Sequence, residues 1–158
     1  MDGSPVGAGR SYVLDTRPLL NLAYTDRISL VEILLGKSLY LPVKVHREFI
    51  GARSTLERKL RQLPSDRHDP VDLQLAANLQ VARRKFRGNP FRVLRLYGEE
   101  RDRALELERD HRWIEPGEAE VLAICLQRGP DWVAILDDRP AHEFAVARAF
   151  PRWARSSC

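Results

Sequence analysis

The chain has 158 residues, 26 of them Lys or Arg against 22 Asp or Glu, for a formal charge of +4. Its length suits one domain, which at this size buries roughly 70% of its unfolded surface. A content of 44% hydrophobic and 30% charged residues excludes a disordered or fibrous chain. The modest positive excess permits a polyanionic partner without demanding one.

Two cysteines, Cys125 in an apolar helical pattern and Cys158 at the end, make neither a disulfide framework nor a metal-ligand spacing. No stretch approaches the ~18 apolar residues of a membrane span, and MDGSPVGAGR lacks the apolar run of a signal peptide. The expectation is a cytoplasmic protein with no membrane partner.

Residues 1–10 read as a flexible leader rich in Gly, Ser and Pro. SYVLD then has the character of a strand buried on both faces, ended by Asp15 and followed by Thr16 and by Pro18, which opens a helix through LLNLAY. Asp26 is the expected N-cap of a second helix, ISLVEILL, closed by Gly36. KSLYL predicts the second strand. Pro42 begins a helix with Val45, Phe49 and Ile50 on its apolar side, and Glu48 lies near the preceding strand end.

From Ser54 to Arg112 the chain is dense in Arg, Glu and Asp, and a helical insertion is expected there. Asp69, Pro70 and Asp72 start a helix, VDLQLAANLQVARRKF, and Asn89 and Pro90 repeat the arrangement ahead of FRVLRLYGEERDRALELERD. Glu115, Pro116 and Gly117 open the helix EAEVLAICLQRG, which Gly129 closes. DWVAILDD is a further strand with acids at its carboxyl end, and HEFAVARAF a last helix before a polar tail at 151–158. Strands alternating with helices predict an α/β, Rossmann-like fold with a mostly parallel sheet covered on both faces.

Acids therefore recur at strand ends and helix starts, where open α/β sheets bind ligands. Gathered carboxylates repel one another unless a cation neutralises them, and Mg²⁺ or Mn²⁺ suits oxygen ligands. Histidines 46, 68, 111 and 142 are too scattered for a zinc helix, and neither a GxxxxGK loop nor a GxSxG elbow is present. Each acid also has a plain structural reading, since Asp138 can cap the last helix and Glu118 can complement a helix N-terminus. Asp15 fits that reading worst, because an acid within an apolar strand segment costs free energy unless used. Residues two apart on a helix point about 200° apart, so Glu118 and Glu120 cannot both face one ion. Strand alternation likewise divides Asp137 from Asp138.

VLDTRPLLNLA, LPVKVHREF, GEAEVLAICLQRG and ILDDR, in this order, resemble the PIN domain, in particular VapC-like proteins carrying D-T-S-P-L-x-N-L, I-P-x-x-V-x-x-E, G-E-A-E and D-D-R signatures. The resemblance spans about residues 11–51 and 113–149, within one domain taken as 11–150 whose insertion covers about 54–112. It implies a metal-dependent endoribonuclease, the toxin half of a toxin–antitoxin pair, with an antitoxin and a second copy of itself as protein partners. Carried over by position, Asp15, Glu48, Glu120 and Asp138 are the catalytic, metal-holding acids, supported by Thr16, Glu118 and Asp137. Arg17 departs from the family's small hydroxyl residue, Pro140 follows the D-D-R signature, and the chain ends where the family continues into another strand. A PIN-like nucleic-acid-binding or regulatory module without catalysis is the alternative, and an acidic site for another phosphoester a third reading.

VARRKFRGNPFRVLR is basic without an acid and interleaves Phe86 and Phe91. Arg83, Arg84, Lys85, Phe86 and Arg87 are accordingly the expected contacts to single-stranded RNA, against the plain reading of a solvated basic face with core-facing rings.

Overall fold

A computed structural model describes residues 9–35, 39–87 and 91–137. The expected strand and acid at the amino end form as β1 (Ser11–Leu14) and the helix α1 (Thr16–Tyr24) directly behind Asp15. Tyr12, Val13 and Leu14 are all buried, as a central parallel strand requires.

Asp26 is not the cap of the second helix. It closes α1 instead: its φ is +53°, its N–H donates to the Ala23 carbonyl at 3.1 Å and that of Arg27 to the Leu22 carbonyl at 2.8 Å. That pair of bonds is a Schellman motif, whose left-handed position tolerates Asp, though Gly is commoner. Helix α2 (Ile28–Leu35) starts only afterwards, and the proposed Gly36 cap lies outside the described residues.

Strand β2 (Leu39–Pro42) hands over to α3 (Val43–Gln62) at the expected proline. The buried side of α3 is Val45, Phe49 and Arg53, spaced by four. Ile50 is exposed, and Arg53 reaches Gln80 at 3.1 Å and Glu57 at 3.3 Å. After a 3₁₀ turn at Ser65–Arg67, α4 (Pro70–Arg87) begins as expected, with Asp69 Oδ1 accepting the Val71 N–H at 2.8 Å.

The chain then departs from the expected second insertion helix. Phe91–Leu94 is β3, a strand paired in parallel with β2, and α5 (Glu99–Asp110) begins five residues after it. The region read as an insertion therefore supplies an edge strand of the sheet. Helix α6 (Pro116–Arg128) and β4 (Trp132–Ile135) complete the described elements. Glu115 and Glu118 form a capping box at the start of α6, and Gly129, at φ +92°, follows its end. The helix expected over HEFAVARAF lies outside the described residues.

All four described strands are parallel, in the order β3-β2-β1-β4. Right-handed crossovers place α1 to α4 on one face and α5 and α6 on the other. Packing agrees, since α1, α3 and α4 touch one another while α5 packs chiefly on α6. Helix α6 turns Val121 and Ile124 to the main core and Ala119, Leu122 and Ala123 to Ala104 and Leu107 of α5. Among the described residues no helix is long and apolar enough to cross a membrane.

Candidate active site

The strand order reverses between β1 and β4, and ligands of open α/β sheets bind in the crevice at the carboxyl ends flanking such a reversal. The register Leu14↔Ile135 brings those two strand ends level. Asp15 follows directly, its N–H donating to the Ile135 carbonyl at 3.1 Å. Asp137 stands two residues beyond β4 and accepts a hydrogen bond from Asn21 Nδ2 at 3.2 Å. Asn21, one turn into α1, thus ties the first helix to the last described strand.

Asp15 is only 3% exposed. It occupies the N-cap position of α1, where the Thr16 and Arg17 amides face its carboxylate without completing a well-formed capping hydrogen bond. Burial pushes its pKa above the usual carboxylate value; the nearby Thr16 amide pulls it back, and the charge of Glu48 adds to the rise.

Glu48 arrives from the second turn of α3. Its Oε2 accepts a hydrogen bond from the Thr16 hydroxyl, so Thr16 orients the second acid, Glu48, whereas the resemblance implied that it supports the first, Asp15. The meeting point is Gly117, in the first turn of α6. A Cβ placed there would lie 3.2 Å from Asp15 Oδ1, 3.2 Å from Glu48 Oε2 and 3.3 Å from Val45 Cγ2. The absence of a side chain leaves room for both carboxylates, each of which would have to give by a few tenths of an ångström to admit a Cβ.

Glu118 and Glu120 divide as their spacing on a helix requires. Glu118 is fully buried, and its Oε2 accepts the Glu115 N–H at 3.0 Å in the capping box, a structural duty. Glu120 is half-buried and accepts the Lys44 N–H at 3.2 Å at the start of α3. Desolvation raises its pKa, the Lys44 amide and ammonium lower it, and the charges of Glu108 and Glu48 raise it again. Arg17 pairs with Glu115 at 3.0 Å, with both side chains more than half exposed.

Asp138 lies outside the described residues. Among the described residues no three His, Cys, Asp or Glu side chains converge as a ready metal cluster. The donors that do meet, Asp15 and Glu48, nevertheless suit a hard divalent ion. Mg²⁺ is commonly held by one or two carboxylates, with waters and substrate phosphates completing its shell. A cation there would also relieve the raised pKa of Asp15.

The basic stretch fares differently. Lys85 bonds to Ser29 Oγ at 2.5 Å and pairs with Glu32 at 3.3 Å, while the Phe86 ring packs edge-on against Phe49 with centroids 4.8 Å apart. These two expected RNA contacts are engaged within the fold. Arg84 is exposed and Arg83 half-buried; the side chains of Arg87 and Phe91 lie outside those described. The Phe86 ring also meets that of His46, in the first turn of α3, with centroids 6.3 Å apart.

Sequence reasoning assigned no role to Gly117, Asn21 or Lys44. A glycine inside the first turn of a good helix was a usable signal for the first, because it lowers helix propensity without an evident local reason. No family model, curated protein or solved structure matches the chain.

Proposed function

We propose that this chain is a metal-dependent endoribonuclease of the PIN class. The observation supporting it best is the meeting of Asp15 and Glu48 over Gly117 beside the strand-order reversal. Asp15 and Glu48 would hold the ion, with Glu120 and Asp138 the further candidates. Bound Mg²⁺ or Mn²⁺ supplies positive charge to a scissile phosphodiester and its leaving oxygen.

The chain's own work is positioning. The β1–β4 register and the Asp15 backbone bond to Ile135 fix the first acid, and the Thr16 hydroxyl fixes the second. The Lys44 amide holds Glu120 beside them, and Asn21 holds Asp137. Burial of Asp15 strengthens its interaction with any cation that replaces its lost hydration. By its resemblance the chain would be a toxin restrained by an antitoxin, and a homodimer.

The test is cleavage of single-stranded and structured RNA by purified protein with Mn²⁺, Mg²⁺ or EDTA, beside Asp15→Asn and Glu48→Gln. Metal-dependent cleavage abolished by either substitution is the expected result. The second reading is a PIN-like RNA-binding module without catalysis. Folded protein that binds RNA and never cuts it would select that reading.

A further inference from the structure

We infer that single-stranded RNA reaches this site through a cleft between the start of α3 and the β3–α5 link, not along the Arg83–Arg87 stretch. This rests on the ribonuclease reading and names the path of its substrate. The cleft has a volume of about 460 Å³ and is lined by Lys44, Arg47, Arg95, Tyr97, Arg101 and Glu120, among others. Glu120 puts its wall beside the acids, and Glu48 is the next residue after Arg47. A second cleft of about 730 Å³ shares Arg47, Arg95 and Tyr97 and extends the path past His46.

Ion pairing distinguishes these arginines from most other cations nearby. Lys44 is matched by Glu108 at 2.6 Å, Lys85 by Glu32 at 3.3 Å and Arg128 by Glu100 at 2.6 Å. Arg47, Arg95 and Arg101 are exposed, and none forms an ion pair with a described residue. Three guanidinium groups therefore face one cleft against the single unmatched carboxylate of Glu120. Such a surface attracts a phosphate backbone and leads it to the acids.

Tyr97 supplies what a purely ionic groove lacks. It is 70% exposed, more than Trp113 at 44%, and it stands between Leu96 and Gly98 on the link. Gly98 has φ +51°, a left-handed backbone that sets the turn into α5. An exposed ring beside unpaired arginines is the combination that stacks an unpaired base while its phosphates are neutralised. Phe86, by contrast, is engaged with Phe49.

The experiment uses the full chain in EDTA, so that binding is read without cleavage, and a fluorescent oligouridylate of about 12 nucleotides, within the reach of one stacking groove. Anisotropy titrations over a range of salt compare wild type with the combined Arg47→Ala/Arg95→Ala/Arg101→Ala variant, with Tyr97→Ala, and with Arg83→Ala/Arg84→Ala. Removing three phosphate contacts should flatten the log–log salt slope by about two, at ~0.7 per contact on a single strand. Tyr97→Ala should weaken binding roughly tenfold and leave the slope unchanged. Replacing the three arginines by lysine should restore the slope, which a structural role would not predict.

Wild-type affinity and slope in the cleft variants would overturn the inference, as would a loss confined to Arg83→Ala/Arg84→Ala or no binding by wild type. Cleavage assayed separately keeps the two readings apart. Cleft-dependent binding without cleavage removes the nuclease and retains the path; cleavage with binding insensitive to the cleft variants removes the path and retains the nuclease.

Discussion

Gly117→Ala tests the meeting of the two acids most directly. Helix propensity alone favours Ala over Gly by about 1 kcal/mol. At Gly117 the added Cβ would lie 3.2 Å from two carboxylate oxygens and 3.3 Å from Val45 Cγ2, so each neighbour must retreat by a few tenths of an ångström. Overpacking of this kind costs about 1–3 kcal/mol. The two effects oppose each other, and net destabilisation of about 0–2 kcal/mol is expected. Gly51, in α3, is the control: a Cβ there meets nothing within 4 Å. Gly51→Ala should therefore gain most of the ~1 kcal/mol, or about 2–4 °C in melting temperature for a chain of this size. Function should separate the pair further, since the new methyl intrudes between the acids. Gly117→Ala should lose metal-dependent cleavage and the rise in melting temperature on adding Mn²⁺, while Gly51→Ala keeps both. If Gly117→Ala melts as high as Gly51→Ala and cleaves like wild type, the acids do not meet over residue 117 and the site is misdrawn.

Further outcomes follow from burial and charge. Burial raises the Asp15 pKa, so its ionisation costs the folded state; that cost is absent below the ordinary value of 3.8, grows as pH rises towards the folded value, and is complete above it. Asp15→Asn should accordingly stabilise the metal-free protein at neutral pH, with the gain vanishing in melts below pH 3.8. Equal gains at both pH values would remove the electrostatic explanation. Glu118→Ala breaks a buried capping box and should cost about 2 kcal/mol, whereas Glu120→Ala should cost under about 1 kcal/mol yet abolish cleavage. Chemical denaturation of the two variants would expose the reverse ranking. Cys125, its thiol pushed up to about 12 by burial, should resist alkylation in the native protein and react only on unfolding, as peptide mapping after iodoacetamide would show.

The sequence announced those features whose chemistry is local. Asp69 before Pro70, Glu115 and Glu118 around Pro116, and Gly129 after Arg128 are caps, whose partners lie within a few residues. The apolar run before Asp15 likewise marked a buried strand. Strand β3 was hidden for the opposite reason. FRVL is four residues at the sheet edge, with Arg92 and Val93 exposed, so it lacks the continuous apolar character of a central parallel strand. Its pairing with Leu39–Pro42 is a choice made by tertiary structure across about fifty residues. Asn89 and Pro90 meanwhile imitate a helix start, which is why the local signal misled.

The same distinction between local and distant explains the site and its approach. Arg17 stood out as a departure, but its role is fixed by Glu115, 98 residues away, and no local pattern could announce that partner. Lys85 and Phe86 belonged to a conspicuous basic run, yet Ser29, Glu32 and Phe49 on other elements engage them. Arg47, Arg95, Tyr97 and Arg101 form no run at all and share a cleft because parallel pairing of β2 with β3 brings the chain after both strands to the same edge. A linear cluster of charge thus reports composition, while a usable surface requires charges that the fold has left unmatched. By that criterion the strand-order reversal places Asp15, the edge strand that looked like part of an insertion brings unmatched arginines near it, and the proposed cleavage and binding would be separable properties of adjoining residues.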